Sequence, residues 1–300
     1  MKTKLDCFSC LLRIGLQAAR MAGASESEQR DLMVRFLDVL KDAVDSESPL
    51  AVAHRIQKIV REETGVADPY LELKDKGHQE AKQWSDYLQS QVAKDDDPLN
   101  VALKIAAIGN IMDYGAFAGF DLAGLVERLH RTRFAIDASR QFQTDLGRSA
   151  TLSYLADNAG EVIFDSVLIS YLLTHYSLQK LRLVIREAPF LNDVCGEDHL
   201  PGEIVRNPKV DVLRLSVVPA ERDHEIWKRI VGSDLVISKG MANFENYSEE
   251  SGFYFLLIAK CDVVSQLIGD RTQSPVKTGD WVFMQNNQVP RNNLAAGSDP

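Results

Sequence analysis

The sequence predicts an α/β protein in which a helical N-terminal region is followed by a mainly parallel sheet. Two textures carry that prediction. Up to about residue 130, apolar residues recur every three or four positions, and almost nothing alternates with the period of a strand. From Ser149 onward, short runs rich in Val, Ile and Leu are separated by helical stretches, the pattern of βαβ units whose parallel strands are covered on both faces.

In order along the chain, helices are expected at Cys10–Ala22, Glu28–Ala43, Pro49–Glu63, His78–Val92, Pro98–Phe117 and Leu122–Leu129. Asp95–Asp97 followed by Pro98 reads as a loop leading into a helix, because proline is tolerated at a first helical turn. Strands are expected at TLSYLAD, LRLVIRE, DVLRLSVV, DLVISKG, FYFLLIAK and WVFMQ. The organisation is a helical region over 1–130 that walls the substrate, a catalytic α/β region over 131–289, and a mobile tail over 290–300. No internal repeat or low-complexity tract is present.

A chain of 300 residues with 45% hydrophobic residues is long enough to bury a core of enzyme size. Its net charge of −9 argues against a nucleic-acid partner, which a basic face would ordinarily bind. No apolar run reaches the roughly 20 residues that span a bilayer. Asp6, Arg13 and Arg20 make the N-terminus a poor signal peptide. A cytoplasmic location without membrane attachment is expected, with the four cysteines reduced. Oligomeric state is not legible.

The chemistry of such a sheet lies beyond the carboxyl ends of its strands. Three polar clusters fall there: Asp157-Asn158-Ala159-Gly160-Glu161 after TLSYLA, Ala188-Pro189-Phe190-Leu191-Asn192-Asp193 after LRLVIRE, and Ser238-Lys239-Gly240-Met241-Ala242-Asn243-Phe244-Glu245 after DLVI. Taken singly, each reads more readily as a helix cap or a turn than as a site. Taken together, Asp157, Asn158 and Asp193 supply two carboxylates and a carboxamide oxygen, a hard donor set for Mg²⁺ or Mn²⁺. Lys239 would bring a mobile point charge to a phosphoryl group, and Gly240 would let the backbone approach it. Asn192, Asn243 and Glu245 are candidates to contact substrate.

The string DNAGEVIFD, the later ND pair, KGMANFE, Lys260-Cys261, Cys7-x-x-Cys10 and Gly109-Asn110-Ile111-Met112-Asp113 together resemble the metal-dependent damage-control phosphatases, formerly a domain family of unknown function. The resemblance runs from about residue 4 to about residue 285. It implies a helical region joined to a three-layer α/β domain, and a divalent cofactor (Mn²⁺, Mg²⁺, Co²⁺ or Ni²⁺) held by Asp157, Asn158 and Asp193. The substrates it implies are small phosphorylated metabolites, including sugar phosphates and damaged or surplus cofactor precursors. One branch of the family has also been called a protein carboxyl methyltransferase. Glu187-Ala188-Pro189-Phe190-Leu191 departs from the small residues usual before the ND pair, which bears on substrate identity more than on metal binding.

Direct attack by water is expected, with Glu161 or Asp193 as proton acceptor, because the DxD signature of an aspartyl-phosphate route is missing after Asp157. Asn110 and Asp113 are the candidates in the helical region to reach over the metal toward substrate, with packing or capping as the alternative. Cys7 and Cys10 read as a metal or redox pair, or as packing residues of the first helix. The rival functions are an S-adenosylmethionine-dependent protein carboxyl methyltransferase, for which the lone Gly160 is weak support, and a non-catalytic metal-binding regulator.

Overall fold

A computed structural model describes residues 1–109, 124, 129, 131–218 and 223–287. Five helices open the chain, the first three close to the expected positions: α1 (Cys7–Met21), α2 (Glu26–Leu40), α3 (Pro49–Thr64), α4 (Leu71–Lys82) and α5 (Ser85–Lys94); α6 (Pro98–Gly109) follows. Local chemistry fixes several ends. Ser25 and Glu28 form a reciprocal capping box at the start of α2. Ser48 caps α3 ahead of Pro49, and Gly65 ends it in the left-handed conformation at φ 71°. Asp97 Oδ1 accepts the Asn100 N–H, so the acidic stretch caps α6 as expected of a loop leading into a helix.

The single helix expected over His78–Val92 is two, α4 and α5, broken at Gln83–Trp84. Periodicity carried through the break because both helices bury apolar residues on the same side. The second half of the helix expected over Pro98–Phe117, most of Leu122–Leu129, Asn110, Asp113 and the tail lie outside the described residues.

The sheet comprises β1 (Ile136–Asp137), β2 (Thr151–Leu155), β3 (Lys180–Arg186), β4 (Val210–Leu215), β5 (Leu235–Lys239), β6 (Tyr254–Ile258) and β7 (Trp281–Gln285). Its order is β1-β7-β6-β5-β2-β3-β4, parallel throughout except where β6 meets β7. The connecting helices are α7 (Ser139–Leu146), α8 (Glu161–His175), the short α9 (Gly202–Val205), α10 (His224–Val231), α11 (Gly240–Tyr247) and α12 (Asp262–Thr272). β1 and α7 were not expected, since two strand residues carry no periodicity.

Both faces of the sheet are buried, and alternation along each strand divides its side chains between two cores. Tyr154, Ile237 and Leu256 enter one core with α5, α6 and α8, while Leu155, Val236 and Phe255 enter the other with α11 and α12. This is the three-layer α/β arrangement. The N-terminal helices divide as well: α5 and α6 share the core of β2 and α8, whereas α1, α2 and α3 surround a third core. Phe190 and Val217 from the sheet loops insert into that third core, so the residues of the unusual Glu187–Leu191 segment dock helices onto the α/β layer. The chain crosses from the β2–β3–β4 half of the sheet to the other half between β2 and β5, and a parallel sheet opens its ligand crevice at such a point.

Candidate functional site

Asp157 and Asn158 leave the carboxyl end of β2, and the ND pair lies beyond the end of β3. Two backbone hydrogen bonds fasten the two segments, and two more shape the second of them. Val194 N–H donates to the Asp157 carbonyl at 2.9 Å, Ala159 N–H to the Asn192 carbonyl at 2.9 Å, Arg186 N–H to the Val194 carbonyl at 2.9 Å, and Asp193 N–H to the Phe190 carbonyl at 3.0 Å. Asn158 and Asp193 are thereby paired in an isolated antiparallel bridge, which puts the three expected oxygen ligands side by side in one buried turn made from both segments.

Side chains orient that turn. The Asn158 amide nitrogen donates to Asp157 Oδ2 at 3.3 Å and to Glu161 Oε1 at 2.5 Å, so its carbonyl oxygen, the atom a hard cation takes, lies on the opposite side of the amide. The Arg186 guanidinium donates from Nε to Asp193 Oδ2 at 2.6 Å and from Nη2 to Asn243 Oδ1 at 2.9 Å. Burial opposes the charged guanidinium, but Asp193, Tyr247 and Asp157 together more than offset it and keep Arg186 protonated. Asn243 in turn donates to the carbonyls of Ala156 and Lys239, locking the ends of β2 and β5 together.

Beneath this layer lies a second ion network. Lys239 is fully buried, and its ammonium donates to Asp165 Oδ1 at 2.5 Å, to the Ala106 carbonyl at 2.8 Å and to Glu161 Oε2 at 3.4 Å. Burial disfavours the ammonium, but Asp165 and then Glu161 more than compensate, so it stays charged. Burial pushes the Asp165 carboxyl up to about 6, against the opposing pull of Lys239, and Tyr154 donates to the same oxygen at 2.7 Å. Lys239 is therefore committed to three acceptors, a correction to the expectation of a mobile cation for phosphate. A strand that ends in lysine inside a two-faced core has nowhere to send the side chain except into the layer beside it.

Two glycines set the spacing. At Gly240 φ is 78°, and a Cβ there would stand 1.8 Å from Asp157 Oδ2, so only glycine fits. A Cβ on Gly109 would come within 3.0 Å of Glu161 Cβ, so α6 packs directly against the start of α8. Asn110 and Asp113 follow Gly109 but lie outside the described residues.

Asn192 is buried and joins the turn through its backbone carbonyl. Glu245 is not part of this group. It is partly buried, the Met1 amino group hydrogen-bonds to its carbonyl oxygen, and its carboxyl adds to the burial that pushes the Cys7 and Cys261 thiols up. Helical geometry explains the correction: Asn243 and Glu245 are two residues apart on α11 and so point to different sides. Arg186 escaped the sequence reading. Its signal was a charged residue closing the otherwise apolar run LRLVIR, where a buried strand end needs a partner for it.

A family model described as the damage-control phosphatase ARMT1-like domain matches residues 3–276. The chain belongs to that family. Similar proteins include a damage-control phosphatase of Archaeoglobus fulgidus, 30% identical over 296 residues and covering 94% of this chain and 98% of the relative. A damage-control phosphatase of Pyrococcus horikoshii is 28% identical over 293 residues, covering 95% of this chain and 99% of the relative. An uncharacterized protein of Methanocaldococcus jannaschii is 30% identical over 300 residues, covering 95% of each. The crystal structure of a DUF89 family protein from P. horikoshii superposes with a TM-score of 0.81 at 26% identity, covering 96% of this chain and 100% of that one.

Membership of the damage-control phosphatase family points to phosphatase activity on damaged metabolites. Among the described residues no helix is long and apolar enough to cross a membrane.

Proposed function

We propose that this damage-control phosphatase is a divalent-metal-dependent phosphomonoester hydrolase acting on small phosphorylated metabolites in the cytoplasm. The observation that carries the reading is the bridge between Asn158 and Asp193, which brings Asp157 and Asn158, at the β2 end that borders the switch point, beside Asp193 of the loop after β3. Among the described residues no three His, Cys, Asp or Glu side chains converge as a complete cation cage. Two carboxylates and one carboxamide suit a hard cation that keeps positions for water and substrate oxygens, so Mg²⁺ or Mn²⁺ fits the donor set, with Co²⁺ or Ni²⁺ as substitutes. Gly240 supports the same reading, because its missing Cβ is the space that the Asp157 carboxylate occupies.

When bound, the cation would draw charge from phosphate oxygens and make its water more acidic. The chain does the rest. Asp157, Asn158 and Asp193 hold the site; Arg186 fixes Asp193; Glu161, steadied by Lys239, fixes the Asn158 amide. Arg186 and Lys239 also place two positive charges behind the carboxylates, which limits their mutual repulsion before anything binds. The N-terminus of α8 begins at Glu161, and its amides favour an anion in the crevice. The proton of the attacking water goes to a carboxylate of the network, Glu161 or Asp193.

The test is to titrate metal-stripped protein with Mg²⁺, Mn²⁺, Co²⁺ and Ni²⁺ in the presence of p-nitrophenyl phosphate, with S-adenosylmethionine and a protein acceptor as control. Release of p-nitrophenol that saturates with metal supports the proposal. Methyl transfer without phosphate release would establish the rival activity, and neither reaction would leave a metal-binding regulator.

A further inference from the structure

The helix α3 turns a row of polar side chains toward the loop that carries Asp193. His54, Gln57 and Arg61 are spaced by three and four residues, so they share one side of the helix. Both ends of the row reach the loop: the His54 ring lies 6.1 Å from that of Phe190, and Arg61 donates to the Pro189 carbonyl at 3.4 Å. Gln57 sits between them, 1% exposed, and its amide nitrogen has no hydrogen-bond partner. His54 Nδ1 is likewise buried without one. Burial pushes the His54 imidazole below its ordinary range, and Arg61, Lys58 and Arg186 push it further.

A buried primary amide with an unmet donor costs stability, and native folds keep such groups where something else completes them. Gln57 offers N–H, and Arg61 offers N–H and charge, with Asp68 and Glu62 as the carboxylates that act on it. We infer that the row His54, Gln57 and Arg61 receives a second anionic group of the substrate, a carboxylate or a second phosphate on the part of the metabolite that is not transferred. The inference rests on the phosphatase reading above and narrows its substrate class to phosphomonoesters with two anionic ends.

Two matched pairs of probes test it: 3-phosphoglycerate against glycerol 3-phosphate, and fructose 1,6-bisphosphate against fructose 1-phosphate. Ligand-induced rises in melting temperature are read for the full chain with Mg²⁺ and again in EDTA, alongside KM and kcat. In the wild type the member of at least one pair that carries two anionic groups gives the larger rise and the lower KM. Gln57→Leu removes that advantage, raising KM for that member roughly tenfold, as for a lost hydrogen bond to a charged group. Its turnover of p-nitrophenyl phosphate stays near wild type. Arg61→Gln, at a half-buried position, gives the same result should Gln57→Leu fold poorly.

An advantage confined to the first pair identifies a carboxylate, and one confined to the second identifies a phosphate. Equal shifts within both pairs, or an advantage that survives both substitutions, would overturn the inference and leave a buried water as the partner of Gln57. A wild type inert toward p-nitrophenyl phosphate at every metal concentration would instead sink the phosphatase reading, while the melting shifts in EDTA still report on the row itself.

Discussion

Gly240 and Asp157 compete for one space: a Cβ built on Gly240 would stand 1.8 Å from Asp157 Oδ2, about half an ordinary van der Waals contact. The left-handed φ of 78° at Gly240 adds a backbone reason for the same residue. Gly240→Ala should therefore move the carboxylate. We expect a loss of metal affinity of more than about tenfold together with a lower melting temperature, since non-glycine strain of this kind costs of order 1–3 kcal/mol. Calorimetric Mg²⁺ or Mn²⁺ titration decides it, and wild-type affinity in the variant would show that Asp157 does not hold the cation.

Asp157→Asn should abolish metal-stimulated phosphatase turnover while the far-UV spectrum stays native, because the substitution keeps the shape and removes the charge that the cation needs. Retention of near wild-type turnover would place the metal elsewhere.

Asp193 has two duties, and the buried Arg186 makes its removal more costly. Asp193→Ala leaves a 5% exposed guanidinium without its closest carboxylate, a loss of about 3–5 kcal/mol by the measure of broken buried pairs. Denaturant unfolding should show Asp193→Ala much less stable than Asp157→Asn. Equal midpoints would mean that Arg186 finds another partner.

Lys239 should also prove a stability residue. Lys239→Met leaves Asp165 and Glu161 buried without their cation and is expected to cost about 3–5 kcal/mol. The double variant Lys239→Met with Asp165→Leu should recover part of that loss, since it removes the stranded carboxylate. A Lys239→Met protein of native stability that loses only affinity for phosphate esters would restore the role of a phosphate-binding cation.

Glu245 gives a pH signature away from the catalytic turn. Burial raises its carboxyl from 4.5 to about 7 in the folded protein, partly offset by the Met1 amino group. Between those values the folded state keeps a proton that the unfolded chain has released, so this group's contribution to stability falls as pH rises and is fully lost above about 7. Glu245→Gln should thus gain on the wild type in melting temperature between pH 5 and 8, an interval set by that raised carboxyl. A difference that does not change with pH would contradict the raised carboxyl.

What the sequence determined by itself is local or periodic. Three- and four-residue spacing marked the early helices, runs of β-branched residues marked the strands, and the clusters at strand ends marked Asp157, Asn158 and Asp193 as neighbours of one crevice. The resemblance to damage-control phosphatases rested on the same strings. Only the tertiary structure decided partnership. Whether Lys239 faces a phosphate or Asp165, whether Glu245 joins Asp193 or the N-terminus, and that Arg186 belongs between Asp193 and Asn243 all depend on which helix covers which face. Those contacts join residues as far apart as Ala106 and Lys239, a separation at which a one-dimensional pattern carries no direction. The same packing explains Phe190, which read as a departure in a motif and is an anchor between cores. Burial removes water as the default partner, so each buried charge must take whatever acceptor the fold brings to it, and the fold alone specifies that acceptor.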